Sequence, residues 1–189
     1  MLVIQFRDCA PTTTFKKSIG ARILLVSSIS IQIRADFEYT NIKCTTVDAS
    51  FSTFEHCLLK SVNRTYKYGS LKVNLHQLPV DKLNLALYKR LNGSKPFLYN
   101  VTIDACKFVL NRNSSPVAAF IYSLFSPYSH MNHPCPYNHD VMVDKAPTSH
   151  LNHQLTNVLP FPKGHYGFSS IWHSKRIKRA YVNGYGTLS

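Results

Sequence analysis

The sequence predicts an all-β fold: an immunoglobulin-like antiparallel β-sandwich with one short helical insertion. Three observations lead there. Apolar and polar residues alternate along 71–76, 83–87 and 97–105, the period-two pattern of half-buried strands. Short strand candidates recur along the chain, with Pro, Gly, Asn and Asp punctuating the gaps. A single amphipathic helix pattern, Val117–Phe125, interrupts them. There is no internal repeat and no low-complexity segment. A chain of 189 residues is expected to hold one such domain, residues 36–189, behind a leader of residues 1–35.

The leader has the order of a secretory signal peptide. Lys16, Lys17 and Arg22 precede the apolar run Ile23–Ile33; Ala35 follows, and then the polar Asp36, Glu38 and Thr40. Cleavage is expected after Ala35. A buried first strand and a signal anchor are the competing readings. An apolar run of 11 residues is too short to span a bilayer, so no transmembrane segment is expected. Cleavage would remove Cys9 and leave Cys44, Cys57, Cys106 and Cys135. An even number in an exported domain points to two disulfides, with three possible connectivities. Proximity in sequence favours Cys44–Cys57 and Cys106–Cys135, worth about 3 and roughly 3–4 kcal/mol through loop-closure entropy. Four N-x-S/T sequons, at Asn63, Asn92, Asn100 and Asn113, agree with a secreted, extracellular glycoprotein.

Taken in order, the first strand is expected at Phe37–Thr46. The second runs from Phe51 to Lys67, forming a hairpin that would place Cys44 beside Cys57. Leu71, Val73 and Leu75 alternate with Lys72, Asn74 and His76, and Pro79 with Asp81 marks a turn. Leu83, Leu85 and Leu87 repeat the period before Asn92-Gly93, the strongest short hairpin signal. In Pro96–Ala105 a glycan on Asn100 must point to solvent, so Phe97, Tyr99, Val101 and Ile103 are assigned inward, and Asp104 outward. Ser115 followed by Pro116 starts a helix. Val117, Phe120, Ile121, Leu124 and Phe125 form its apolar face, and Pro127 ends it. Further strands are expected at Asp140–Lys145, His150–Val158, His165–His173 and Arg179–Thr187. Tyr166, Phe168 and Trp172 share a face.

Charge and motifs narrow the chemistry. Of the net charge of +13, the leader carries +4 and the remainder +9. Basic residues are scattered, and the densest cluster is Lys175–Arg179. This reads as a solvated basic surface, with no nucleic-acid partner. Arg176–Arg179 has the form of a dibasic processing site, but cutting there would delete the last strand, so the match is read as coincidence. His130, His133 and His139 surround Cys135 without a full ligand set, so no metal is expected. His150, His153, His165 and His173 are scattered. Nucleophile-elbow, zincin and P-loop motifs are absent. No catalytic residue, no enzymatic activity and no cofactor are expected.

The segments FEYTNIKC, FEHCLLKSVNRTYKY, LALYKRLNGSKPFLYNVTIDACKF, HMNHPCPYNHD and LPFPKGHYGF, together with the four cysteines, carry a resemblance over most of residues 36–189. The chain resembles a fly-expanded family of secreted domains of unknown function, whose CheB-type relatives are linked to gustatory pheromone sensing. Through Cys106, Cys135-Pro136 and Leu159-Pro160…Gly164-x-Tyr166 it looks distantly like the ML-type lipid-recognition domains. The latter likeness implies a sandwich holding lipid or sterol between its sheets. Two features depart from it: 28 residues separate Cys106 from Cys135, and no cysteine follows Cys135.

The expected function is binding of a hydrophobic small molecule or lipid between two sheets, in chemosensation. The pocket candidates are Leu71, Val73, Leu83, Leu85, Leu87, Phe97, Tyr99, Val101, Ile103, Phe120, Ile121, Leu124, Phe168 and Trp172. An extracellular protein-interaction module with a filled core, acting as accessory to a cell-surface receptor, is the alternative. Binding of acidic glycans by the basic surface is a weaker third.

Overall fold

A computed structural model describes residues 36–77, 80–91, 97–135 and 140–189. The expected signal peptide lies outside them, as do Pro79, Asn92, Gly93, Pro136, His139 and the side chain of Phe97. Eight strands are described: β1 (Phe37–Thr46), β2 (Ser52–Ser61), β3 (Lys67–Leu75), β4 (Lys82–Arg90), β5 (Phe97–Asp104), β6 (Val141–Pro147), β7 (Gly164–Ser174) and β8 (Ile177–Leu188). They form a five-stranded sheet in the order β1-β8-β7-β4-β5 and a three-stranded sheet in the order β2-β3-β6. Every pairing is antiparallel. The fold is the all-β sandwich that the alternating pattern predicts.

A three-stranded sheet cannot cover five strands, and the helical insertion supplies the missing cover. Helix α1 (Ala105–Leu110) and helix α2 (Pro116–Ser123) follow β5. Asp104 caps α1, its side chain accepting from Lys107 N at 2.9 Å. Ser115 caps α2, with Pro116 in its first turn. Phe108, Ala118, Ile121 and Tyr122 are buried with Leu85, and Leu83, Val101 and Ile103 pack against them, so the two helices lie on the inner face of β4 and β5. Between the sheets themselves, Val73 and Val141 meet Trp172, Ala180 and Val182. A third cluster closes one end, where Phe37, Tyr166 and Leu188 meet Leu124, Leu151 and Leu155.

The expected β1–β2 hairpin does not form. β1 pairs with β8 and β2 with β3, so Cys44 and Cys57 sit on opposite sheets. Their disulfide, with Cα atoms 6.2 Å apart, clips the two layers together. The connection is a crossover anchored at Asp48. Its carboxylate accepts from Ser50 N and Ser50 Oγ and pairs with Arg179, whose guanidinium lies 5.2 Å from the Phe51 ring centre. Hydrogen bonding from the Ser50 hydroxyl, then from Arg179, holds the Asp48 carboxyl below the usual carboxylate range. The second strand ends at Ser61, not Lys67. Asn63 Oδ1 accepts from Thr65 N and Tyr66 N and turns the chain there.

Residues 150–158, expected as a strand, are helical. Helix α3 (Thr148–His153) runs on into a π-helical turn, Gln154–Val158. Leu151 and Leu155 stand four residues apart and are both buried, a helical spacing that outweighed strand-like neighbours. Helix α2 is two turns long and ends before Pro127, which sits in the following 3₁₀ turn, Ser126–Tyr128. On β5, Asn100 and Thr102 are exposed as expected, but Tyr99 is also 37% exposed. It lies on the edge strand, and the helices cover Val101 and Ile103 rather than Tyr99. The turn joining β7 to β8 uses Lys175 and Arg176 at φ values of 52° and 66°, a two-residue hairpin that needs left-handed backbone. The dibasic segment therefore begins at this turn and continues into the paired strand β8.

Candidate functional site

Among the described residues, two partly open apolar cavities are outlined. The first, about 160 Å³, sits between the sheets. Leu71, Val143 and Ala146 line it from the three-stranded sheet; Leu87, Phe168, Val182 and Gly184 line it from the five-stranded sheet. Leu124, Leu151, Leu155 and Phe161 close its end. The second, about 310 Å³, lies beneath the helical insertion. Leu83, Leu85 and Ile103 face Phe108, Val109 and Tyr122 across it, and Cys106 and Cys135 form part of its wall. These two cysteines are disulfide-bonded with Cα atoms 5.5 Å apart, anchoring both ends of the insertion. Phe125, Met131, Val141, Ser170 and Trp172 border both cavities.

Local sequence explains the first opening. The inward residues of β8 are Ala180, Val182, Gly184, Gly186 and Leu188, paired with Trp172, Ser170, Phe168, Tyr166 and Gly164 of β7. Gly186 is filled from across the sheet: a Cβ there would lie 2.2 Å from the Phe37 ring. Gly184 is not filled: a Cβ there would meet nothing within 4 Å. An inward strand position without a side chain leaves a hole unless a neighbour occupies it. In β1 the register shifts between Tyr39 and Asn41, so inward positions change from Phe37 and Tyr39 to Ile42 and Cys44. This aims Tyr39 and Ile42 into the same cavity.

The polar atoms in the walls are nearly all committed. Ser70 Oγ donates to Val143 O at 3.1 Å. Trp172 Nε1 donates to Ser170 Oγ at 3.0 Å, which fixes the indole at the boundary between the cavities. Tyr122 donates to Met131 O at 2.9 Å, and Tyr166 donates to Pro162 O. Removal from water raises the pKa of Tyr122, Tyr166 and, most strongly, Tyr39 above the ordinary phenol value. No lysine, arginine, histidine or carboxylate is among the described residues lining either cavity. Such walls offer apolar burial and few polar contacts.

The sequence-selected pocket residues divide. Leu71, Leu87, Leu124 and Phe168 line the first cavity; Leu83, Leu85 and Ile103 line the second; Trp172 borders both. Val73 and Ile121 are fully buried in packed clusters and line neither. Val101 and Phe120 pack against those clusters, and Tyr99 faces solvent. Sequence reasoning missed Tyr39, Ile42, Gly69, Gly184, Phe108 and Met131. An inward glycine in β8 was the legible signal, once its strand face is assigned. Of the sequons, Asn63, Asn100 and Asn113 are exposed. His130 is exposed and His133 half-buried, and among the described residues no three His, Cys, Asp or Glu side chains converge as a metal site. Among the same residues no helix is long and apolar enough to cross a membrane.

No curated protein matches the chain. A family model does: residues 83–168, from β4 through the helical insertion into β7, are similar to the family described as Protein of unknown function (DUF1091).

Proposed function

We propose that the protein is a secreted glycoprotein that binds a small hydrophobic ligand between its sheets and acts by binding rather than by catalysis. The observation that carries this reading is the pair of apolar cavities meeting at Trp172. The smaller is close to the volume, about 150 Å³, at which an engineered apolar cavity stays dry and takes up benzene. If the side chains between the cavities shift, the joined space falls within the range of small-molecule pockets, roughly 300–1,000 Å³. Binding energy would come from apolar burial, about 25 cal/mol per Å² before entropic costs. Two disulfides, exposed sequons and a leader with signal-peptide order support export. The resemblance to CheB-type domains supports a role in chemosensation, and that to ML-type domains supports a lipid, sterol or pheromone-like ligand. Native mass spectrometry of protein from secreting cells, followed by solvent extraction, tests this. An apolar adduct, native or added, is the expected result. A protein that takes up no apolar molecule would contradict it.

One observation favours a second reading. β5 is an edge strand, and Leu98 and Tyr99 on it are exposed. This suits an extracellular interaction module that docks a receptor along that edge when the exposed Asn100 beside them carries no glycan.

A further inference from the structure

Tyr39 stands apart from the other residues of the first cavity. Its ring packs edge-to-face on Phe37, with centroids 5.5 Å apart, and it reaches from β1 across the gap to β3. There its hydroxyl lies 3.8 Å from where a Cβ on Gly69 would sit. The hydroxyl has no hydrogen-bond partner among the described residues, whereas those of Ser70 and Tyr166 and the indole N–H of Trp172 each have one. Tyr185, which also borders the cavity, hydrogen-bonds Tyr88. Tyr39 is half-buried, and its hydroxyl is left free to donate to a molecule that enters the cavity. Burial also lifts its pKa far above the ordinary value, so it remains a protonated donor.

We infer that Tyr39 is the polar anchor of the cavity ligand, donating its hydroxyl proton to a single uncharged oxygen on an otherwise hydrocarbon molecule. A ketone, aldehyde, ester or alcohol supplies that oxygen. A carboxylate would be buried with no cation lining either cavity, and an ammonium with no carboxylate, so charged head groups are disfavoured. This inference rests on the carrier reading above. It adds what that reading lacks: the polarity of the ligand and the end at which it is held.

The test compares cyclohexanone with its hydrocarbon isostere methylenecyclohexane, both titrated into the full secreted protein and into Tyr39→Phe by methyl NMR. Tyr39→Phe keeps the ring and removes only the unpartnered oxygen, so its Tm is expected to be unchanged or raised. It is expected to weaken cyclohexanone binding about fivefold, as loss of one hydrogen bond does. Methylenecyclohexane affinity stays within about twofold, the error of such a comparison. Equal changes for both probes, or no change for either, would reduce Tyr39 to a wall residue and overturn this inference alone. Tighter binding of cyclohexanecarboxylate than of cyclohexanone would overturn the requirement for an uncharged oxygen. If the parent protein takes up neither probe, the carrier reading fails and this inference with it.

Discussion

Gly184→Val fills the first cavity. It is expected to raise stability by about 1–2 kcal/mol and to weaken binding of methylenecyclohexane by roughly tenfold or more. The reasoning is local. A Cβ at position 184 meets nothing within 4 Å, so the new methyl groups enter empty space bounded by apolar walls. Valine also suits an extended strand better than glycine does. For a chain of this size, about 1 kcal/mol moves Tm by roughly 2–4 °C, which calorimetry resolves easily. If the space were already filled by side chains in solution, the same substitution would overpack the core and cost about 1–3 kcal/mol. The sign of the stability change therefore separates an open sandwich from a filled one, independently of any ligand.

The second large effect concerns the disulfides. Cys44→Ala with Cys57→Ala is expected to cost about 3 kcal/mol, and Cys106→Ala with Cys135→Ala roughly 3–4 kcal/mol, by loop-closure entropy. The consequences differ because the bridges do different things. Cys44–Cys57 joins the five-stranded sheet to the three-stranded one, so its loss weakens contact between the layers around the first cavity. Cys106–Cys135 anchors the helical insertion and lines the second cavity. Its loss is expected to lower amide protection in α1 and α2 before that of β7 and β8. Hydrogen exchange on the two double variants checks this. Uniform loss of protection in both would show that the insertion and the sandwich unfold as one unit.

Much of this architecture is visible in the chain. Alternation in β3, β4 and β5 marks strands and inner faces because polar residues such as Lys72, Asn84 and Asn100 occupy the outward positions. The Ser115-Pro116 start of α2 is legible because capping is local chemistry. Sheet membership is not local. Nothing near Cys44 or Cys57 says that β1 crosses to β8, 12 residues long at the far end of the chain, rather than turning back on β2. Helix α3 was hidden because its core stripe is only Leu151 and Leu155, too few to establish a period. The site follows the same division. Large inward residues such as Leu85, Phe168 and Trp172 were found because they are apolar and in register. The features that open the cavity, Gly184 and the register shift after Tyr39, are a missing side chain and an irregular pairing, and neither has a hydrophobic signature.

Trp172 is the protein's only tryptophan and borders both cavities, so its emission reports directly on what enters them. The decisive measurement is its fluorescence during titration with methylenecyclohexane, in the parent protein and in Gly184→Val. A saturable change in the parent, with its midpoint shifted by roughly tenfold or more in the variant, is the predicted result. Emission that stays constant in the parent up to the solubility limit of the probe would contradict the claim that the sandwich holds an apolar ligand.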